Sequence, residues 1–191
     1  MRIIELIIDN DSDGIDAVSV VDMPAIESNF IALAKDYEMK LAEVDPEKKI
    51  LMGAALIPNK QIYRKVNKDE FYVYFSKDTV RKASELFLKN GNQGNATLQH
   101  KSKIDGMTVV ESWIVEDVEM DKSKKYGFEV PAGTWMISMK VDNDDVWEKV
   151  KAGEVKGFSI EGYFADKLEM QMQEENDKQL IDKIKEILAN G

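Results

Sequence analysis

Residues 70–91 read EFYVYFSKDTVRKASELFLKNG, and the periodicity of this stretch changes at Ser76. Residues 70–75 are aromatic and β-branched, which is typical of a strand. Ser76 stands where a helix N-cap is expected, and Gly91 ends the pattern that follows. Between them the apolar residues lie at helical spacing: Val80, Ala83, Leu86 and Phe87. A strand followed directly by an amphipathic helix indicates a protein that mixes both kinds of element.

Working outward, apolar and β-branched runs predict further strands, at 2–9, 15–21, 49–57, 61–66, 96–100, 107–116, 134–141 and 155–165. A short helix is predicted after a cap at Asp142 or Asn143, closing at Gly153. Strands and helices do not alternate regularly, which disfavours a doubly wound parallel sheet. The pattern predicts an α+β fold, mainly an antiparallel β-barrel or sandwich with a few packed helices.

The end of the chain differs in composition from the rest. Residues 166–178 are polar and predict a linker, and residues 179–191 predict an amphipathic helix with its apolar residues on one face. Residues 34–48 are charged and predict an exposed connection. The expected organisation is a barrel domain over 1–165, a linker over 166–178 and a C-terminal helix over 179–191.

Composition excludes several classes of function. The chain has 191 residues and a formal net charge of −10, so it has no general attraction to nucleic acids or anionic membranes. It contains no cysteine, which excludes disulfides, thiolate nucleophiles and cysteine–metal sites. It contains one histidine, so imidazole chemistry must use His100. No cofactor or metal is indicated.

Targeting signals are not evident. No apolar run approaches the roughly 18 residues of a membrane span. The N-terminal residues lack the basic start, apolar stretch and small-residue cleavage site of a signal peptide. We therefore expect a cytoplasmic protein.

His100 is the first candidate for catalysis. It ends a predicted short strand after a glycine-containing loop, a position where catalytic groups commonly lie. A lone histidine is nevertheless more often a surface or satisfied core residue.

Residues 157–162, GFSIEG, form the second candidate site. In a strand, Ser159 points to one side together with Gly157 and Glu161, and Phe158 points to the other. Glycines leave room for a substrate and free backbone N–H groups for an oxyanion, so Gly157 and Gly162 are candidate oxyanion donors. The alternative is a barrel strand with glycines at its bends.

Two carboxylates are candidates for orienting His100. Glu111 lies on the next predicted strand, and a hairpin would bring it within reach of His100; its alternative role is a solvent-facing strand residue. Asp16 has less local support.

The acidic runs 9–13 and 142–145 suggest a cation-binding alternative, although neither has EF-hand spacing and turn or capping roles explain both.

Several segments in order resemble the phage serine proteases of the XkdF type. These belong with the prohead proteases of tailed phages, whose fold is like herpesvirus assemblin. The similar segments are VSVVDMPAIESNF (18–30), the helix before LQHK (98–101), VVESWIV (109–115), PAGTWMISMKV (131–141) and DVWEKVKAGEVKGFSIEG (145–162). The resemblance covers roughly residues 15–165, and its long ordered combination is specific.

The resemblance implies residue roles. His100 matches the family's catalytic histidine, Ser159 its nucleophile and Glu111 the glutamate of its ESW motif. The segment AVSVVDMPA (17–25) resembles a strand that follows the serine strand in other prohead proteases, which implies a permuted N-terminal strand. Ala17 stands where those relatives carry an acidic residue, and neighbouring Asp16 is a substitute. The third member of the catalytic group, beside Ser159 and His100, would be a carboxylate or a water, or there would be none.

The resemblance also implies a biological setting. The expected activity is endopeptidase cleavage of the phage scaffold and major capsid protein during head assembly. The expected location is the host cytoplasm, inside the assembling prohead. The partners would be those two proteins, with self-association as a further possibility, and the C-terminal helix would either dock on scaffold or pack on the barrel. The competing interpretation is a catalytically inactive structural module of the same fold.

Overall fold

The computed structural model describes residues 2–10, 13–22, 31–33, 48–66 and 69–166. The described strands are β1 (Arg2–Ile7), β2 (Gly14–Val21), β3 (Ile31–Leu33), β4 (Ile50–Leu56), β5 (Ile62–Val66), β6 (Asp69–Phe75), β7 (Ala96–Leu98), β8 (Ser102–Ile104), β9 (Met107–Ile114), β10 (Trp135–Val141), β11 (Gly157–Tyr163) and β12 (Ala165–Asp166). The described helices are α1 (Lys77–Lys89), α2 (Lys122–Lys125) and α3 (Asp144–Lys151), with a 3₁₀ turn at Asn92–Gly94.

Helix α1 forms where its sequence predicts. The Ser76 side chain caps it by accepting from the Thr79 backbone N–H at 3.4 Å. Its apolar face is buried, and the Phe87 ring meets Trp135 of β10 edge to face, with ring centroids 5.4 Å apart. This contact attaches the helix to β10, whose Trp135 is fully buried.

The strands form three four-stranded sheets. Sheet I has the order β12-β1-β6-β5, sheet II the order β3-β4-β10-β9 and sheet III the order β11-β2-β7-β8. The described pairs are antiparallel except β1–β6 and β2–β7, which are parallel. The predicted α+β class is therefore confirmed, with strands predominating.

The predicted closed barrel is not supported. The described strands form three open sheets, and no hydrogen-bonded ladder joins β11 of sheet III to β4 of sheet II, although the two strands approach each other. A cavity lies at this approach, with Ala55 and Leu56 of β4 on one side and Phe158 and Ile160 of β11 on the other. Side chains rather than backbone pairing occupy the place where a barrel would close.

One apolar core connects the sheets and helices. It draws on residues from all three sheets together with α1 and α3. Strand β10 is at its centre, with Trp135, Met136, Ile137 and Met139 fully buried. Sheet III packs on this core through Val18 and Val20 of β2 and Phe158 of β11, and it carries Ser159 on β11 and His100 in the turn between β7 and β8.

Some predictions differ from the structure or lie outside it. The short strands β3, β8 and β12 and the one-turn helix α2 were not predicted, and Asp166 belongs to β12 rather than to the predicted linker. The exposed connection predicted at 34–48, apart from residue 48, lies outside the described residues. So do the linker from 167 onward and the helix at 179–191. None of the described helices has the length and hydropathy of a membrane span.

Candidate active site

Strands β11, β2 and β7 bring three hydroxyl-bearing residues into one row. Ser159 of β11 pairs directly with Ser19 of β2, and Ser19 pairs with Thr97 of β7. Directly paired residues direct their side chains to the same face of a sheet. The three hydroxyl groups therefore share one face of sheet III, opposite the face on which Phe158 enters the core.

His100 lies in the turn between β7 and β8. Gln99 and His100 both have left-handed backbone conformations, with φ of 53° and 56°. Such a conformation costs a residue other than glycine roughly 1–3 kcal/mol, so neighbouring contacts must hold the turn. Three backbone N–H groups of the turn make hydrogen bonds that hold it. Gln99 N donates to Val20 O at 3.1 Å and His100 N donates to Ser19 Oγ at 3.0 Å, both on β2. Lys101 N donates to Leu98 O within the turn at 3.0 Å.

Ser19 is the buried support beneath this turn. It is fully buried, and its Oγ donates to the Thr97 carbonyl at 3.3 Å while accepting from His100 N. One hydroxyl thus satisfies backbone groups of both Thr97 and His100 on the histidine side of the sheet. Its position fixes where the His100 backbone leaves the plane of sheet III.

The carboxylate that contacts His100 is Glu161. His100 Nδ1 lies 3.0 Å from Glu161 Oε1, and the Thr97 hydroxyl donates to the same oxygen. Glu161 pairs across the strands with Ala17, whose methyl group leaves space for the longer side chain to extend over β2 toward β7. A carboxylate accepts hydrogen bonds, so this contact suits the neutral imidazole tautomer that carries its proton on Nδ1, in which Nε2 is the acceptor.

The His100–Glu161 pair is open to solvent. The two side chains are 43% and 33% exposed. Ion pairs at such exposure contribute only about 0–1 kcal/mol to stability. The consequence of the contact is therefore the orientation of the imidazole ring rather than the stability of the fold.

Ser159 lies beside this pair but is not hydrogen-bonded to His100. Among the described residues its side chain has no hydrogen-bond partner, and the residue is 9% exposed. Directly paired residues lie about 4.5–5.5 Å apart at Cα, so Ser159 is one strand spacing from Ser19, which holds the His100 backbone. Glu161, which holds the ring, is two residues along the same strand face. The site brings Ser159 and His100 into one cluster, and the direct contact stays a prediction.

Glu111 lies elsewhere. It is on β9 of sheet II, which pairs with β10, whereas the strand that returns beside β7 is β8. Its carboxylate accepts from Lys122 Nζ at 2.6 Å and from the Ser138 hydroxyl. Burial raises the pKa of Glu111, but the Lys122 and Ser138 hydrogen bonds outweigh this and leave the pKa below its usual range. The expected hairpin contact with His100 is not formed among the described residues.

Asp16 is also separated from the imidazole. Its side chain is exposed on β2, and its backbone carbonyl accepts from Asn95 Nδ2 at 3.1 Å. No contact joins it to His100 within the described residues. The structure therefore brings His100 to Glu161 rather than to either carboxylate named from the sequence.

The two glycines of β11 differ in their surroundings. Gly157 is buried and pairs with Val21, whereas Gly162 follows an irregularity in the β11–β2 register. A Cβ on Gly162 would lie 1.8 Å from the carbonyl oxygen of Gly14. The close approach of the two backbones is enough to explain why residue 162 is a glycine. That Gly157 or Gly162 donates to an oxyanion stays a prediction.

The acidic runs have turn and capping contacts. The Asp13 carboxylate accepts from the backbone N–H groups of Asp9 and Asn10. Asn143 caps α3, and Asp144 pairs with Lys49. Within the described ranges, no three acidic or histidine side chains are grouped as metal ligands.

A cavity of about 180 Å³ adjoins the candidate nucleophile. Ser159 is one of its lining residues. The other residues of its wall are Leu6, Ala55, Leu56, Ile62, Arg64, Phe75, Phe158, Ile160, Gly162 and Phe164. The site thus combines a serine, a histidine held by a carboxylate, and a mainly apolar cavity.

Comparison with known proteins agrees with the resemblance seen in the sequence. The family described as "putative phage serine protease XkdF" matches residues 38–169, which include His100, Ser159 and Glu161. The chain belongs to this family.

Two curated proteins similar to this chain come from Bacillus subtilis (strain 168). An "uncharacterized protein YqbD" is 28% identical over 153 residues, covering 76% of this chain and 43% of the relative. The "phage-like element PBSX protein XkdF" is 27% identical over 154 residues, covering 76% of this chain and 50% of the relative. The chain spans about half the length of these relatives. No solved structure matches it significantly.

Sequence reasoning missed Glu161 and Ser19 as members of the site. The signal for Glu161 is its alternation with Ser159, which places both side chains on one strand face. The decisive fact is the parallel pairing of β2 with β7, which brings the His100 turn to that face. Residues 61 positions apart meet there, and no local pattern encodes this register.

Proposed function

We propose that this XkdF-family protein is a serine endopeptidase that uses Ser159 as nucleophile and His100 as general base. The observation that carries the proposal is the 3.0 Å contact between His100 Nδ1 and Glu161 on the face of sheet III that also carries Ser159. A base oriented by a carboxylate beside a serine is the arrangement that acyl transfer requires.

The proposed reaction has two stages. His100 Nε2 takes the proton of Ser159 Oγ as that oxygen attacks the scissile carbonyl carbon. The protonated imidazole then gives its proton to the leaving amine, and water repeats the two steps on the acyl-enzyme. Glu161 is a positioning residue, because it holds the ring and stabilises the imidazolium without contacting substrate.

The oxyanion would be held by backbone N–H groups of β11. Because β11 is an edge strand of the described sheet III, alternate N–H groups along it point away from β2. Gly157 and Gly162 bracket Ser159 and are the candidates named by the sequence. Loss of one such donor typically reduces the rate about 10²–10³-fold.

The proposed substrates are the phage scaffold and the precursor of the major capsid protein, cut in the host cytoplasm inside the assembling prohead. The family description and the name of the phage-like-element relative support a phage protein. The resemblance to prohead proteases supports a role in head assembly. Self-association and docking through residues 179–191 remain predictions, since those residues lie outside the described structure.

Co-expression with the neighbouring scaffold and capsid gene products, followed by intact-mass spectrometry, tests this proposal. We expect new termini with the natural sequence and none with Ser159→Ala or His100→Ala. The masses then define the cleavage sites.

The second candidate is a structural module without catalysis. The absence of a Ser159–His100 hydrogen bond among the described residues favours it. If the protein is such a structural module, the substrates should stay intact with the natural sequence, with Ser159→Ala and with His100→Ala, while the protein still co-purifies with scaffold. That result would replace the protease proposal.

A further inference from the structure

The cavity beside Ser159 has one charged group in a mainly apolar wall. Leu6, Phe75 and Phe164 come from the side of sheet I, and the two phenylalanine rings meet edge to face with centroids 4.8 Å apart. Arg64 of β5 also lines the cavity. Arg64 and Ser159 line the same cavity, so the positive charge of Arg64 lies in the cavity that adjoins the candidate nucleophile.

No carboxylate partner of Arg64 is present in the described residues. Its one hydrogen bond there runs from Nη1 to the Tyr63 carbonyl at 3.1 Å. Although the side chain is exposed overall, partial burial lowers the pKa of the guanidinium from its ordinary value. A guanidinium has five N–H donors in a planar fork that suits a carboxylate, and among the described residues only Nη1 has an acceptor.

The volume of the cavity suits a single side chain. An enclosed space of about 150 Å³ accepts a benzene molecule, and this cavity measures about 180 Å³. A glutamate side chain would place its methylene groups against the apolar wall and its carboxylate against Arg64. Ser159 lines the same cavity between Phe158 and Ile160, whose side chains lie on the other face of β11. A substrate that crosses the β11 edge would therefore place its glutamate in the cavity and a neighbouring peptide bond at the nucleophile.

We propose that this cavity is the specificity pocket of the site, and that Arg64 selects substrates with an acidic side chain near the scissile bond. The proposal rests on the proposed endopeptidase function and adds the substrate class. Hydrogen bonds to charged groups contribute enough for a preference of roughly 10- to 100-fold for glutamate over glutamine at that position.

The test uses the full chain and a synthetic peptide library read by mass spectrometry. We expect the natural sequence to cleave at a fixed distance from an acidic residue. Arg64→Gln should lose that preference, Arg64→Lys should keep part of it and Arg64→Glu should shift it toward lysine or arginine. Arg81→Gln is the matched control, because Arg81 pairs with Glu116 on the exposed side of α1, away from the cavity.

Binding is measured separately with Ser159→Ala, by fluorescence anisotropy of peptides that differ only in glutamate, glutamine or lysine. Peptide binding that needs both glutamate and Arg64, even without cleavage by the natural sequence, would support the pocket while overturning the protease proposal. Cleavage with the same sequence preference in Arg64→Gln and the natural sequence would overturn the pocket alone. Neither cleavage nor Arg64-dependent binding would overturn both.

Discussion

His100 is held at an unusual backbone position, and the contacts around it explain why the chain accepts the strain. Two consecutive left-handed residues are stabilised by hydrogen bonds to β2, and the ring then meets Glu161. Backbone strain of this kind persists where surrounding contacts determine the conformation. The position of the imidazole is therefore a property of sheet III rather than of the turn alone.

Changing Glu161 should alter catalysis more than stability. We expect Glu161→Gln to reduce kcat by roughly 10²-fold or more, since it removes the anion that stabilises the imidazolium. Peptide-cleavage kinetics between pH 5 and 8 provide the measurement.

Glu111→Gln is the matched control for this change, because it removes a carboxylate from another sheet. A fall in kcat with Glu111→Gln and none with Glu161→Gln would contradict the assignment. Glu111 would then be the third member that the family resemblance suggests.

At the scale of elements, the irregular pairing of β11 with β2 joins the nucleophile strand to the histidine side of the sheet. The register shifts between Glu161 and Gly162, where the strand passes close to the Gly14 backbone. Such an irregularity turns a strand locally and re-aims its side chains. Here it lies directly after the residue that contacts His100.

Gly162→Ala should therefore destabilise the fold. Its Cβ would lie 1.8 Å from the Gly14 carbonyl oxygen, so the two strands must separate. We expect a loss of about 1–3 kcal/mol in the free energy of unfolding, as for other overpacked sites. Urea denaturation measures it, with Gly94→Ala as control because a Cβ there meets nothing within 4 Å. Equal effects of the two substitutions would argue against the close approach.

Sequence patterns predicted the helices and strands better than they predicted which strands pair with one another. Helix α1 was predicted because its cap and its apolar spacing are local properties of residues 76–91. Strands β8 and β12 were missed because two or three residues show no periodicity. The contact of Glu161 with His100 was missed because strand register depends on pairing between distant segments. Ser159 and His100 were named from local sequence and from family resemblance, and their catalytic roles stay predictions.

At the scale of the whole molecule, several carboxylates couple stability to pH. Burial raises the pKa of Asp121, but hydrogen bonds from Ser123 and Trp113 outweigh it and lower the pKa, as those from Lys122 and Ser138 do for Glu111. Ordinary Asp and Glu pKa values are about 3.9 and 4.3. With lower pKa values in the folded protein, the unfolded chain binds protons first as pH falls.

Stability should consequently be full above these ordinary values and fall as pH drops through the lower folded-state values. Urea midpoints measured between pH 7 and pH 3 test this. The double variant Glu111→Gln and Asp121→Asn should show a shallower decline than the natural sequence. Identical slopes in the two proteins would show that these carboxylates do not contribute.

The central claim is that Ser159 is activated by His100, and covalent labelling with a fluorophosphonate tests it most directly. The reagent forms a bond between Ser159 Oγ and phosphorus, fluoride leaves, and the serine proton passes to His100. We predict one adduct at Ser159 by intact-mass and peptide mapping, none in Ser159→Ala, and labelling at least about 10²-fold slower in His100→Ala. No adduct at Ser159, or equal rates with and without His100, would contradict the account.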